Sequence, residues 1–295
     1  MKKLFYFLGG IAIFAALTIS CEKSSIDEMQ EESSISTNEN ITEASKGNKV
    51  TICHKGKKTL SVSANAVDAH LAHGDYLGSC DEACSLQYYQ GFETDTSGWY
   101  GQVTRVATGT NGIASSEGSY HAIFDASSAP FTRFEGYSAV WPGSWKIETD
   151  IYLDPSWGTS QGFDYSVAAS GSDGGHQRDF IFHVNNDAST GKLLVAGSNN
   201  TNFAPREDLE NLNHYEVTAA GWYTFQHYFY DNGGVLAVDL NLIDSNGNVL
   251  FTETRSTPLD VIATEIGGNR YGWFTFINVA GGIAVDETKH FICSN

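Results

Sequence analysis

Proline and methionine are scarce in this 295-residue chain, at five and two, and basic residues number 17 against 35 acids. No stretch gathers those few cations into a basic stripe able to displace phosphate counterions, which excludes duplex nucleic acid as a partner. No apolar run is long enough to span a bilayer as a helix, and no long helical periodicity appears that would build a bundle. Three chemistries lack their motifs altogether: there is no Gly-x-Ser-x-Gly elbow, no phosphate loop and no His-Glu-x-x-His pair. What is abundant is glycine, at 30, and aromatic residues, at 13%. That balance belongs to strands and turns held by Tyr, Phe and Trp.

The chain opens with Lys2 and Lys3, an apolar run over residues 4–19, and Ser20-Cys21. This is the layout of a secretory signal peptide over residues 1–20. Leu17-Thr18-Ile19-Ser20-Cys21 resembles a bacterial lipobox, which implies cleavage before Cys21 and lipid on its sulfur and new amino group. The alternative is an ordinary cleaved signal with an incidental cysteine. Several acyl chains on one residue give the stable membrane anchoring that a single chain cannot. Residues 21–48 then carry seven acids against two lysines among Ser, Asn and Thr. Such a segment buries too little to offset ordering entropy and reads as a disordered acidic spacer. An acidic stretch directly behind a lipidated cysteine resembles signals for the exterior face of the outer membrane. Loss of Lys2 and Lys3 takes the formal charge from −18 to −20, leaving neutral ligands and divalent cations as partners.

Four further cysteines, Cys53, Cys80, Cys84 and Cys293, suggest two bridges in an oxidising compartment. The favoured pairing joins Cys53 to Cys80 within a small module, residues 49–84, and Cys84 to Cys293 across the ends of the remainder. The module reads as a strand ending at Cys53-His54-Lys55-Gly56, a partner strand over 58–62, and a helix over 64–73 closed by Gly74. A ββα unit of this size needs a staple. His70 and His73 share a helical face, so Cys53, His54, His70, His73 and Cys80 also offer a Zn²⁺ ligand set. The disulfide and the metal compete for the same sulfurs. Cys53-His54-Lys55-Gly56 and His70-Leu71-Ala72-His73-Gly74-Asp75 resemble a short module of secreted bacterial surface proteins.

Residues 85–295 alternate apolar and polar side chains in ten to twelve runs, with hairpin signals at Asp231-Asn232-Gly233-Gly234 and Asn246-Gly247. An all-β, two-sheet sandwich follows. Gly91-Phe92-Glu93 through Trp99, Gly221-Trp222-Tyr223 and Gly282-Ile283-Ala284-Val285-Asp286-Glu287 resemble the concanavalin A-like, laminin-G-like jelly roll. The shorter galactose-binding-like jelly roll is the alternative. Either resemblance implies neighbouring first and last strands and a structural Ca²⁺ on Glu93, Asp95 and Asp286. Solvation of a strand end accounts for the same acids.

Glu148, Asp150 and Asp154 share one strand at even spacing, as do the paired carboxylates of some sandwich-fold glycosidases. The run lacks the second glutamate of those motifs, so no catalytic residue is assigned. Aromatics argue for binding. Trp141 and Trp157 lie in or beside turns, where a ring can stack on a sugar, and Arg178, Asn269, Arg270 and Tyr271 complete the candidate set. Trp99, Trp145 and Trp222 are expected in the core. The sequence thus suggests an envelope lipoprotein displaying a glycan-binding or adhesive sandwich. A glycan lyase or hydrolase and a structural envelope protein are the alternatives.

Overall fold

A computed structural model describes residues 49–54, 58–63, 66–71, 75–77, 84–125, 129–134, 136–138, 143–171, 175–200, 208–262, 266–267 and 271–293. The chain divides into two compact units, Met1–Lys46 and Gly47–Asn295. The first unit, with the expected signal peptide, Cys21 and most of the spacer, lies outside the described residues. Among the described residues no helix is long and apolar enough to cross a membrane.

The second unit begins with the small module: β1 (Lys49–His54), β2 (Lys58–Ser63), α1 (Val67–Leu71) and β3 (Tyr76–Leu77). β1 pairs antiparallel with both β2 and β3, and Ile52 and Cys53 are fully buried. The ββα order expected from the sequence is present. β3 is an addition, too short at two residues to leave an alternating pattern.

Then follow β4 (Cys84–Gln90), β5 (Trp99–Tyr100), β6 (Val103–Ala107), β7 (Tyr120–Phe124), β8 (Phe131–Thr132) and β9 (Tyr137–Ser138). The long strands come next: β10 (Ser144–Leu153), β11 (Gly162–Ser170), β12 (His176–Asn186), β13 (Leu193–Asn200), β14 (His214–Val217), β15 (Gly221–Asp231) and β16 (Val235–Ile243). β17 (Val249–Val261), β18 (Ile266–Gly267), β19 (Gly272–Thr275) and β20 (Ile283–Cys293) complete the chain. One sheet runs β17-β16-β15-β10-β20-β7-β6, with β4 also paired to β20; the other runs β14-β13-β12-β11-β19-β8-β5. All these pairings are antiparallel, and the chain passes repeatedly between the two sheets, as at β4 to β5, β7 to β8, β10 to β11, β14 to β15 and β19 to β20. This is the jelly-roll sandwich.

Alternation builds the core. In β15, Tyr223, Phe225, His227 and Phe229 are buried while Trp222, Thr224, Gln226, Tyr228 and Tyr230 are half-buried on the other face. β11 is buried at all nine positions, as a central strand covered on both faces must be. The sheets meet through rings, Phe182 against Phe225 at 5.0 Å and Phe180 against Phe229 at 5.5 Å, while within one sheet Trp145 stacks on its cross-strand partner Phe229 at 3.6 Å. Each such ring contributes about 2–3 kcal/mol by leaving water. The first and last strands are neighbours, and a disulfide joins Cys84 to Cys293 where their ladder ends, as the sequence suggested.

Candidate functional site

A polar-aromatic concavity sits at one end of the eight-stranded sheet. β10 delivers Tyr152 to its outward face and then turns. Asp154 Oδ1 accepts from Ser156 N–H at 2.8 Å, and Trp157 N–H donates to the Asp154 carbonyl at 3.0 Å. This Asx turn lifts Trp157 out of the strand. Its ring rests edge-on near Phe163 at 6.3 Å and stays half-buried, while its carbonyl accepts from Asn186 Nδ2 at 2.7 Å.

Two glycine-rich loops form the opposite walls. Residues 109–113 make a short 3-10 turn with positive φ at Gly109, Asn111 and Gly112. Gly281 and Gly282 both have φ of 83°, and a Cβ on Gly282 would stand 2.5 Å from the Phe124 carbonyl oxygen. Only glycine lets this loop close onto β7. The resulting cavity holds about 470 Å³ and is lined by Ile113, Ile123 and Ala284, with Tyr152, Trp157, Asp154 and Asn111 among the other walls. No described residue bonds the Asn111 side chain, and Asp154 Oδ2 has no described partner. The cavity therefore combines apolar walls, two rings and two polar groups in a volume suited to one small ligand.

Trp222 extends the aromatic surface next to this cavity. The expectation that it would be buried in the core is corrected: it lies on the outward face of β15, half-buried. It packs on Tyr152 at 5.6 Å and His121 at 5.8 Å, with Nε1 donating to the Ala114 carbonyl at 2.7 Å. Its strand parity opposes that of Phe225, which explains the difference. Trp99 and Trp145 are buried as expected.

Below the aromatic patch the outward face is a hydrogen-bonded polar ladder. Glu148 Oε1 accepts from Lys146 Nζ at 2.8 Å and Gln226 Nε2 at 2.7 Å. Gln226 Oε1 accepts from Asn241 Nδ2 at 2.8 Å, and Asn241 Oδ1 from Thr252 at 2.6 Å. Asp150 accepts from Ser116 at 2.5 Å and Thr224 at 2.6 Å, and burial pushes its pKa above the usual carboxylate range. Glu148 and Asp150 thus share a face, as their spacing required, and are engaged in holding four strands in register.

The remaining expected site residues fall elsewhere. Arg178 is held by Asp260, its Nη2 donating to Oδ1 at 2.7 Å. Tyr271, expected at the surface, is fully buried between the rings of Trp145 and Phe134, each 5.4 Å away. It stands beside the first residue of β19, at the centre of the sandwich. Trp141, Asn269 and Arg270 lie outside the described residues.

The acids expected to hold Ca²⁺ do not converge among the described residues. Glu93 Oε1 accepts from Ser119 and Tyr120 N–H at 2.9 Å each, and Asp95 Oδ1 from Ser97 N–H at 2.8 Å. Asp286, fully buried, accepts from Ser116 N–H at 3.0 Å and Glu287 N–H at 2.9 Å. Each carboxylate instead serves backbone donors, Asp95 those of its own turn, and Glu93 and Asp286 those of the 116–120 segment. A bulge between β10 and β20, with Glu287 at φ of 48°, turns Asp286 inward, and burial pushes its pKa up to about 7.

Of the expected Zn²⁺ set, Cys53 is disulfide-bonded and carries no thiolate, while His73 and Cys80 lie outside the described residues. His54 and His70 do come together, on Asp75, a residue the sequence did not single out as a ligand. Asn111 and the Gly281-Gly282 turn were also missed, although both are turn signals.

The fold and this end-of-sheet cavity define a jelly-roll β-sandwich with an aromatic surface site. No protein-family model and no curated protein matches the chain. Among solved structures it is similar to the CBM2 module of the evolved Dit of Lactobacillus casei BL23 phage J-1, at a TM-score of 0.40 and 12% identity over 72% of this chain and 97% of that one. The Emp47p carbohydrate recognition domain aligns at 0.43 and 12%, over 74% of this chain and 100% of its own. A Bauhinia forficata lectin in complex with GalNAc aligns at 0.35 and 10%, over 72% and 100%. Identities this low and scores below 0.5 transfer no ligand or site residue to this chain.

Proposed function

We propose that this protein is a carbohydrate-binding surface lipoprotein, anchored through lipid on Cys21 after removal of residues 1–20 and displayed outward on the acidic spacer. The observation that supports the binding reading is the cavity of about 470 Å³ walled by Trp157, Tyr152, Asp154 and Asn111. A ring beside a carboxylate and an amide suits a pyranose, whose C–H face stacks on the aromatic group while its hydroxyls bond the polar ones. The formal charge, −18 for the whole chain and −20 once Lys2 and Lys3 are removed, favours neutral over acidic glycans. Engagement of Glu148 and Asp150 in the strand-spanning ladder supports binding over turnover.

The test is a glycan array probed with the purified chain, with and without EDTA. Retention on a defined neutral glycan is expected, unchanged by EDTA because Glu93, Asp95 and Asp286 bind backbone N–H groups. Trp157→Ala and Asp154→Ala should each abolish it with the fold intact by circular dichroism. A blank array, or retention indifferent to both substitutions, would refute this site.

A further inference from the structure

We propose that the small N-terminal module binds one divalent cation of the zinc class through His54, His70 and Asp75. The sequence places these residues far apart by ligand-spacing rules, and the fold assembles them in two steps. β1 and β3 pair antiparallel with Ile52 opposite Leu77 and Cys53 opposite Tyr76. Extending that register by one residue sets His54 opposite Asp75. Independently, Asp75 N–H donates to the His70 carbonyl at 3.2 Å, drawing Asp75 beneath the last turn of α1.

Both histidines then direct the same ring atom at the same oxygen. Asp75 Oδ2 lies 2.8 Å from His54 Nδ1 and 2.7 Å from His70 Nδ1, and all three ligand atoms fall within 4.8 Å of one another. The rings meet edge to face, 5.8 Å between centroids and 87° between planes. The carboxylate is fully buried, whereas the His54 and His70 side chains are 32% and 23% exposed. A buried carboxylate needs compensating charge or hydrogen bonds. Two imidazole N–H donors would supply the second, and a cation ligated by both imidazole lone pairs would supply the first.

The donor set selects the metal. Two imidazole nitrogens and one carboxylate oxygen suit Zn²⁺ and its borderline neighbours, while Ca²⁺ and Mg²⁺ require oxygen throughout. Tetrahedral Zn²⁺ with ligand bonds of about 2.0–2.1 Å separates its ligand atoms by about 3.3 Å. Each imidazole would therefore retreat from Asp75 by about half an ångström, a side-chain movement that partly exposed rings can make. None of the three proposed ligands is a cysteine, and Cys53 is held in a disulfide. A module of three short strands and a five-residue helix buries little surface, so a cation would be a second staple beside that disulfide.

The experiment uses the full chain, stripped with EDTA, dialysed and titrated with ZnCl₂ by calorimetry, with Co²⁺ absorption as the geometric probe. One equivalent binding at micromolar affinity or tighter is expected, with an intense tetrahedral Co²⁺ band in the visible. Asp75→Asn, His70→Ala and His54→Ala should each weaken binding at least tenfold and remove the band. His54 is the most exposed of the three, so its variant decides the matter should the others fail to fold. No stoichiometric binding, or binding that survives His54→Ala with the band intact, would overturn the proposal and leave a hydrogen-bonded trio.

Discussion

Acidification tests whether His227 and His290, two of the buried histidines of the sandwich, are held neutral. His227 is fully buried among Tyr165, Phe182 and Phe229, its Nε2 donating to the Phe180 carbonyl at 3.1 Å, and burial pushes its pKa down to about 3. His290, packed on Trp145 and Phe134, is pushed down to about 4 by the same cause. In the unfolded chain both titrate near 6.5, so between that value and the folded pKa the unfolded state binds more protons. Stability then falls as pH falls, and between pH 7 and 5 each histidine costs about 2 kcal/mol. Asp286 works in the opposite sense. Its folded pKa is raised by burial, so the folded state takes up the proton first and gains about 2 kcal/mol over the same interval. The histidines outweigh it, and these three groups together predict a loss of about 2 kcal/mol. Substituting His227→Phe keeps the ring packing and removes one titrating group. Urea denaturation followed by tryptophan fluorescence at pH 7, 6 and 5 should show the variant's acid-dependent loss to be smaller than the parent's by about 2 kcal/mol. All other groups are common to both proteins, so parallel pH dependences would refute the assignment of His227 as a buried neutral base.

The Cys84–Cys293 bridge closes a loop of 209 residues, and replacing both cysteines by serine should cost up to about 5 kcal/mol in the chain-entropy view, read as a lowered urea midpoint. An unchanged midpoint would show that the β4–β20 ladder needs no staple. Gly282→Ala forces a Cβ against the Phe124 carbonyl oxygen in a positive-φ turn, so a loss of about 2–4 kcal/mol by thermal denaturation is expected, together with weakened glycan retention. A variant of unchanged Tm would mean the turn can relax. Trp157→Ala should separate function from fold: its ring is half-buried at the margin of the core, so retention should vanish while Tm drops by only a few degrees.

The long strands were legible because period-two alternation is a local property. The apolar-polar run of the sequence from Val235 to Ile243 is the whole of β16, and the run from Trp145 to Leu153 is all of β10 but its first residue. Short strands were not: β5, β8, β9 and β18 have two residues each, below any pattern length, and are defined only by their partners. In β20 only Ile283-Ala284-Val285 stand out as an apolar run, yet the strand has eleven residues, because its later half gains its place from pairing with β4 and β10.

The site divides in the same way. Trp157 was visible as an aromatic beside Asp154-Pro155, whose turn chemistry is written in neighbouring residues. That it shares a cavity with Asn111 and Gly281 depends on β7, β10 and β20 lying side by side, a fact of long-range pairing. Tyr271 shows the converse, since an Asn-Arg-Tyr-Gly-Trp string looks like a surface loop until the sheet turns its tyrosine onto Trp145. Local sequence determined the all-β class, the hairpin turns and the charge that narrows the partners, because propensity and periodicity act over a few residues. The tertiary structure decided which acids meet backbone donors and which histidines meet Asp75, because those encounters are set by strand register across the whole chain.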